Sequence, residues 1–383
     1  MHSAKMLRFF PAICLFFICS CQTAKKITTA PAGISSIKLI GQYEIPFAAR
    51  FKNTAIGGLS GIDYDAKNNR YFFICDDRSD KNPARFYTAR IYLKQTGIDS
   101  VVFTDMQFML QPDGSVYPNN KQNKFLTPDP EAIRYNPVNN TLAWTSEGER
   151  ILGPQDTVLE NPSIIFMQPN GKFIDSIPLP ENLRMQATEK GPRRNSVLEG
   201  MSFTNNYQSL FVSVEEPLYE DGPQAELTEN NAFIRIYRFD VNTRKNTGQY
   251  AYKLSPVAYP PDQPTAFKIN GVPDILDIGN NKLLVIERSF STGRLACTIK
   301  LFVADLEGAT DISNTVLKNK TDFVPVSRKL LLNMDDLGMY TDNIEGVTFG
   351  PVLPNGHKTL LFIADNNFNP VEKAQLLLFE VLE

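Results

Sequence analysis

Five stretches of this chain share one short pattern that opens with a carboxylate or, in one case, a hydroxyl. In each stretch the pattern continues through a turn into a second apolar run that ends in Asp or Glu. The openings lie 71, 68, 75 and 71 residues apart, and regular recurrence at this scale indicates a repeat architecture. The opening residues are Ser60, Glu131, Glu199, Asp274 and Glu345, and the closing acids are Asp76, Glu147, Glu215, Glu287 and Asp365.

These side chains are expected to meet, because two antiparallel strands bring the start of the first to the end of the second. Two unit charges ~4 Å apart repel by roughly 4 kcal/mol at an effective dielectric of about 20, so a cation is the simplest compensation. A ligand set made only of oxygen atoms suits calcium. The alternative is pairing of some acids with arginines or backbone amides. The predicted ligands are Ser60, Glu131, Glu199, Asp274 and Glu345, with Asp76, Glu147, Glu287 and Asp365 behind them.

Arginines follow the closing acids in three of the five stretches, at Arg78, Arg150 and Arg288. A guanidinium beside a bound cation would form a site suited to an anion such as phosphate. The alternative for these arginines is a set of salt bridges that holds the acids. In a hydrolytic reaction, Asp77 or Glu215 is the carboxylate expected to position the attacking water.

Several classes of function are disfavoured by composition. The chain has 383 residues and a formal charge of −3, with 39 Lys and Arg against 42 Asp and Glu, whereas a nucleic-acid-binding domain favours a basic face. Only His2 and His357 are present, and we expect His357 on the face opposite the acids. A Ser-His-Asp hydrolase and a histidine-ligated zinc site are therefore excluded.

The elements that position the acids are short strands. Each of the first four repeats contains four runs of alternating or apolar β-prone residues, and strong helix signals are scarce, which indicates an all-β protein. Four strands in each of five radial repeats predict a five-bladed β-propeller. The fifth repeat lacks a fourth strand, so residues 37–45 are expected to pair with residues 376–381 and close the ring. A sixth blade would have to come from residues 107–130.

The N-terminus has the pattern of a targeting segment. Lys5 and Arg8 precede an apolar run that is too short to span a bilayer and ends at Cys19-Ser20-Cys21. This ending resembles a bacterial lipobox and predicts a signal peptide at 1–20, a lipid on Cys21, a flexible tether at 21–36 and one domain at 37–383. The alternative is an ordinary secretory signal. Of the remaining cysteines, Cys75 and Cys297 are expected to be buried free thiols.

The motifs around the acids resemble the phytase-like family called "esterase-like activity of phytase". The motifs are Ser60-Gly-Ile-Asp63, Asp76-Asp-Arg-Ser79, Asp129-Pro-Glu-Ala132, Leu198-Glu-Gly-Met201, Asn343-Ile-Glu-Gly346 and Ile363-Ala-Asp-Asn366. The resemblance covers residues 37–383 and implies an envelope-bound propeller whose acids form the site.

Three functions are consistent with this reading. The first is a calcium-dependent hydrolase of phosphoesters or esters, acting on a small anionic substrate. The second is a monomeric binding lipoprotein with a structural calcium. The third is another hydrolase on an axial metal, such as a lactonase or a nucleotidase. In each case we expect a monomer that is anchored at Cys21 on the periplasmic side of the envelope or in the outer membrane, with no nucleic-acid partner.

Overall fold

The five-bladed propeller is confirmed by the computed structural model, which describes Met1 and residues 33–94, 97–154 and 156–382. Five antiparallel sheets, each with four strand positions in order from the axis outward, surround a central axis. Their innermost strands contact one another in a closed ring. Among the described residues there is no sixth sheet of this kind. Residues 107–130 instead complete a strand, form one short helix and lead into the next blade.

The first half of the chain forms an N-terminal strand, a small hairpin and two blades. The N-terminal strand is β1 (Ser36–Ile45), and the hairpin is β2 (Arg50–Phe51) with β3 (Thr54–Ala55). Blade 1 consists of β4 (Gly61–Asp65), β5 (Arg70–Ile74), β6 (Arg85–Lys94) and β7 (Gly97–Phe108), and helix α1 (Asn120–Asn123) follows it. Blade 2 consists of β8 (Pro130–Asn136), β9 (Thr141–Ser146), β12 (Ser163–Met167) and β13 (Phe173–Ser176), with the hairpin β10 (Glu149–Leu152) and β11 (Thr157–Glu160) inserted.

The second half forms three blades and two short 3₁₀ segments, Glu181–Leu183 and Met334–Leu337. Blade 3 consists of β14 (Leu198–Phe203), β15 (Ser209–Val214), β16 (Phe233–Asp240) and β17 (Asn246–Lys253). Blade 4 consists of β18 (Lys268–Gly271), β19 (Ile275–Gly279), β20 (Lys282–Ser291), β21 (Thr298–Asp305) and β22 (Ser327–Asn333). Blade 5 consists of β23 (Asn343–Phe349), β24 (Thr359–Asp365) and β25 (Ala374–Leu382). No helix in the described parts has the length and apolar character needed to cross a bilayer.

Ring closure occurs as predicted. Strand β1 pairs antiparallel with β25, in a register that runs from Ser36 opposite Leu382 to Ile45 opposite Ala374. The N-terminal strand thus supplies the outer position of blade 5. This pairing covers the β25 edge, which would otherwise be open to association with other chains.

Three innermost strands contain a one-residue irregularity near their start. The pairing register shifts between Pro130 and Ile133 in β8, between Leu198 and Met201 in β14, and between Ile344 and Gly346 in β23. Strand β4 pairs with β5 without a shift, and β19 has its shift only at its far end. A β-bulge bends the strand and re-aims one side chain, so the five blades do not present their opening residues in the same way.

Packing between blades explains the glycine that follows the opening residue in three repeats. A Cβ added at Gly200 would lie 2.9 Å from the Asp274 Cα, and one at Gly346 would lie 3.0 Å from the Ser60 carbonyl oxygen. The innermost strands therefore approach too closely for a larger residue there. Cys75 and Cys297 are buried and free, as predicted, and apolar residues fill the spaces between the blades.

Candidate functional site

The three bulged strands begin at one end of the propeller axis, which we call the acid face. Each bulge contains a glutamate of the repeated pattern, namely Glu131, Glu199 or Glu345. The loops that follow the second strand of each blade reach the same face and bring Asp76 and Glu147 beside these glutamates. Carboxylates far apart in the chain thereby share one small volume.

Five carboxyl groups form the centre of this face, and we call them the acid cluster. They comprise two overlapping groups, in each of which ligand atoms from all members lie within 4.8 Å of one another. One group is Asp76, Asp129 and Glu131, and the other is Glu131, Glu147 and Glu199. Glu131 belongs to both groups, so it lies between two adjacent positions that oxygen atoms surround.

The acid cluster has few compensating partners. Glu131 and Glu199 are each 7% exposed, and no hydrogen-bond donor in the described part of the chain contacts the Glu131 carboxylate. Glu147 accepts a hydrogen bond from the Val197 amide, and its carboxyl contacts that of Glu199. In Asp365, a fully buried neighbour of Asp76, the Oδ2 atom has no partner.

Burial and mutual repulsion raise the pKa values in this region. Burial is the largest cause of the raised pKa of Asp76, Glu131, Glu147 and Glu199, and neighbouring carboxylates add to it. The pKa of Asp129 rises to about 6 because burial outweighs the effect of Arg78. A buried carboxylate without a cation favours its neutral form. The acid cluster would therefore regain its charge most readily around a bound cation.

Two arginines border the acid cluster. Arg78 contacts Asp129 at 3.2 Å and Glu149 at 3.0 Å. Arg288 donates to Glu215 and, at 2.6 Å, to Glu345. The carboxyl of Glu215 is buried, and its pKa is raised to about 7 by burial, against the lowering effect of Arg288. A Cβ at Gly271 would lie 2.6 Å from the Glu215 Cγ, so the glycine leaves the room that this carboxyl occupies.

A cavity of about 520 Å³ opens over the acid cluster. Its wall includes Glu131, Glu199, Glu215 and Arg288. Carboxylates and a guanidinium thus face the same space, which is large enough for a small substrate.

Asp274 occupies an opening position of the pattern but does not join the acid cluster. Its two carboxylate oxygens accept from Arg134 Nη2 at 2.8 and 2.6 Å, and from the amides of Ile275, Met201 and Val347. Arg134 also donates to the Ile62 carbonyl at 2.8 Å. We call Arg134 and Asp274 the axial pair. Through these bonds the pair connects all five innermost strands, so Asp274 is a structural carboxylate rather than the expected metal ligand.

Four further residues expected at the site have their polar atoms engaged elsewhere. Ser60 donates to the Glu131 carbonyl at 2.8 Å. Glu287 accepts from Tyr252, Ser255, Asn270 and Arg328, away from the axis. Asp77 accepts from Arg85 and from the amides of Asp80, Lys81 and Asn82, so it organises a loop. Arg150 donates to the Gln186 and Thr188 carbonyls and lies over the Tyr219 ring.

Asp129 of the acid cluster and Arg134 of the axial pair were not among the predicted site residues. Asp129 could have been found from the Asp129-Pro-Glu131 motif, since it lies only two residues before a predicted ligand. Arg134 is the fourth residue of its repeat, where the other repeats have Asp63, Ser202, Asp277 and Thr348. Polar residues at that position of every repeat are a signal that it lines the channel. The partner of Arg134, however, is 140 residues away in the chain.

One family model matches this chain over residues 54–368, and its description is phytase-like, esterase-like activity of phytase. No curated protein matches. Solved structures that align with the chain are similar at a low level. An endo-arabinase from Bacteroides thetaiotaomicron has 13% identity over 89% of this chain and 97% of its own, with a TM-score of 0.43.

An exo-beta-1,3-galactanase from Phanerochaete chrysosporium has 11% identity over 90% of this chain and 65% of its own, with a TM-score of 0.44. A periplasmic gluconolactonase from Pseudomonas aeruginosa has 10% identity over 86% of this chain and 87% of its own, with a TM-score of 0.37. Values this low carry no information about the reaction.

Proposed function

The chain belongs to the phytase-like family, esterase-like activity of phytase, and we propose that it is a calcium-dependent hydrolase of phosphoesters or esters. The observation that carries the proposal concerns the acid cluster. Its buried carboxylate Glu131 has no donor in the described chain and lines the same cavity as Arg288. That combination suits a cation and an anionic group side by side.

The donors present fit calcium. They are carboxylate oxygens only, and calcium takes about six to eight oxygen ligands in adaptable geometry. The lack of a donor at Glu131 is what a cation would correct. Asp76, Asp129 and Glu131 would hold it at one position, and Glu131, Glu147 and Glu199 at the adjacent one. When bound, calcium would polarise a phosphoryl or carbonyl oxygen.

The chain's own residues divide the remaining tasks. Arg288, fixed by Glu215 and Glu345, would bind the anionic group of the substrate and hold it against the cavity wall. Glu215 lines the same wall and would orient the attacking water and accept its proton. Arg78 keeps Asp129 in place. Asp77 and Arg150 are left out of this proposal because loop contacts use their polar atoms.

We also propose that the enzyme acts as a monomer in the bacterial envelope. The signal peptide at 1–20 and Cys21 lie outside the described residues, and the first strand begins at Ser36. The tether predicted at 21–36 would end before Ile34, because Ile34 is buried and Ser35 donates to the Leu382 carbonyl, and it would separate the propeller from a lipid on Cys21. Metabolic labelling with palmitate tests this anchor, and Cys21→Ser should abolish the label and release the protein from membranes.

The activity is tested with purified mature protein and phenyl phosphate, phytate, phenyl acetate, simple lactones and nucleoside diphosphates. Each substrate is assayed with added calcium and with a chelator. We expect calcium-dependent release from a phosphoester or an ester, lowered at least 100-fold by Glu215→Gln. Asp99→Asn, an exposed change, is the matched control. If none of these substrates were turned over in a calcium-dependent way, the proposal of a calcium-dependent hydrolase would be refuted.

A second candidate is a binding lipoprotein in which calcium only holds the blades together. The observation in its favour is that two residues expected to take part in chemistry, Asp77 and Arg150, organise loops instead. In that case chelation would lower the melting temperature, and no substrate of the screen would be turned over. A lactonase would be identified by turnover confined to the lactones.

A further inference from the structure

The cavity over the acid cluster has two unlike sides. Blades 1, 2 and 3 contribute carboxyl groups, such as Asp76, Glu131 and Glu215. Blades 4 and 5 contribute apolar and aromatic side chains to the same cavity, beside three carboxyl groups of blade 5. These side chains are Phe267, Ile269, Phe290, Leu295, Tyr340 and Val371.

The base of the apolar side is rigid. Ile269 in β18 and Phe290 in β20 are directly opposite each other in the antiparallel ladder. Direct cross-strand neighbours present their side chains on the same face of the sheet. The Phe267 ring packs on Phe290 with the ring centroids 6.2 Å apart. A strand pair therefore holds this side in position.

The rim of the apolar side faces water. Phe267 is 61% exposed and Leu295 is 78% exposed. The Leu295 carbonyl accepts a hydrogen bond from the Tyr340 hydroxyl at 3.2 Å, which connects a blade 4 loop to blade 5. Exposed apolar groups are ordinary when they are scattered. Here they adjoin the buried Ile269, the half-buried Phe290 and the acid cluster in one cavity, which is the arrangement of a binding site.

The charges of the cavity limit what can enter. Carboxyl groups outnumber guanidinium groups, and two of the three arginines are already paired with acids. The carboxyl groups belong to Asp76, Glu131, Glu199, Glu215, Glu216, Asp342, Glu345 and Glu372, and the guanidinium groups belong to Arg194, Arg288 and Arg294. A ligand with many negative charges would have to place most of them beside carboxyl groups, where no cationic group compensates them. A ligand with one anionic or carbonyl centre would not.

We propose, on the basis of the function proposed above, that the substrate is a monoester whose alcohol part is an aryl or alkyl group. The apolar group lies against Phe267, Phe290 and Leu295 while the ester centre faces the acid cluster. Phytate, which carries many phosphates, is then a poor substrate. The apolar side is a specificity subsite that decides which ester is bound.

Binding of phenylphosphonate and methylphosphonate, which cannot be hydrolysed, tests the subsite without any turnover. Calorimetry on the mature protein with calcium should show the phenyl compound bound about tenfold or more tightly, because its ring removes apolar area from water. Phe267→Ala together with Leu295→Ala should abolish that preference and leave methylphosphonate affinity unchanged. Both residues are exposed, so the melting temperature should stay the same. Val138→Ala is the control, because Val138 is also an exposed apolar residue, with 76% of its surface accessible.

Each other result is informative. Equal affinity for the two phosphonates, no binding of either, or tighter binding of phytate would overturn the subsite. Self-association that phenylphosphonate disrupts would show that a second copy of the chain covers the patch, and would overturn it too. A phenyl preference without hydrolysis of any ester would refute the hydrolase and leave the subsite standing.

Discussion

In the acid cluster and in the axial pair, Glu131 and Asp274 are both buried and both open a copy of the same repeated pattern, yet the contacts of the two carboxylates are opposite. Asp274 accepts from one arginine and three backbone amides. Glu131 has no donor in the described chain. The axial pair is a completed structural contact, whereas the acid cluster contains a buried carboxylate without a donor, and it is there that we propose a bound cation.

A shift of one residue separates the two cases. Glu131, Glu199 and Glu345 are located in bulges, whereas Asp274 precedes a strand that starts without one. Since side chains alternate between faces along a strand, a one-residue shift redirects the side chain. A carboxylate at the same repeat position becomes a candidate ligand in one blade and a structural carboxylate in another.

The largest effect is expected from breaking the axial pair. Asp274→Ala leaves the Arg134 guanidinium buried without its partner, and we expect the free energy of unfolding to fall by about 3–5 kcal/mol. Urea denaturation of the mature domain measures the loss. If the alanine variant does not fold, Asp274→Asn takes its place in the measurement. This variant keeps an oxygen acceptor, so its loss of stability should be smaller.

Two controls accompany this measurement. Arg134→Met combined with Asp274→Ala should recover part of the loss because no charge is left unpaired. Arg184→Met removes an exposed pair with Glu181 and should cost less than about 1 kcal/mol. If Asp274→Ala were as mild as Arg184→Met, the axial pair would not hold the blades together.

The acid cluster should respond in the opposite direction. With calcium at about 100 times its dissociation constant, the wild type should gain roughly 2.7 kcal/mol in free energy of unfolding. Glu131→Gln removes the carboxylate shared by both groups, so this gain should largely disappear. In chelator the variant should be at least as stable as wild type, because a buried carboxyl that neighbouring carboxylates repel when it is charged has been replaced by a neutral amide. A clear loss of stability in chelator would contradict this account of the acid cluster.

Asp277 lies between the two extremes, since it accepts from the Asn205 amide but has no cation in contact. Burial raises the pKa of Asp277 to about 6. The folded protein then keeps a proton that the unfolded chain releases above about pH 4, so this group lowers stability as pH rises from about 4 to 6. Asp277→Asn should remove about 2 kcal/mol of that pH-dependent loss.

Urea denaturation at pH 4 and pH 7 checks the Asp277 prediction. The difference in the free energy of unfolding between pH 4 and pH 7 should be smaller in Asp277→Asn than in the wild type. In Asp99→Asn it should be unchanged. An unchanged difference in Asp277→Asn would mean that this carboxyl titrates as an ordinary one.

The smallest effect is expected at Arg150. Its donors hold the Gln186 and Thr188 carbonyls, so Arg150→Ala should cost about 1 kcal/mol in stability and leave kcat and KM on any accepted ester unchanged. Arg288→Ala, by contrast, should raise KM for that ester. If Arg150→Ala lost turnover while it kept full stability, Arg150 would have a role in the functional site after all.

The blades were predictable because their signal is local and repeated. Alternating apolar residues in runs that recur about every 70 residues indicate strands, and the missing fourth strand of the last repeat indicates closure by β1. The bulges were not predictable, because a one-residue shift leaves almost the same pattern of apolar residues. For this reason Asp274 was expected beside Glu131 and lies elsewhere. Glu287 was also expected there, but it lies inside the long strand β20 and accepts from Tyr252, Asn270 and Arg328.

By itself the sequence determined the fold class, the number of blades and the set of acids from which a site could form, since these depend on spacing and periodicity. Only the tertiary structure decided which acids meet, because Glu131, Asp129 and Glu199 come together through bulges and loops while Arg134 pairs with Asp274 across the axis. A carboxylate becomes a binding group when the fold buries it without a donor, and the distribution of donors depends on residues far away in the chain.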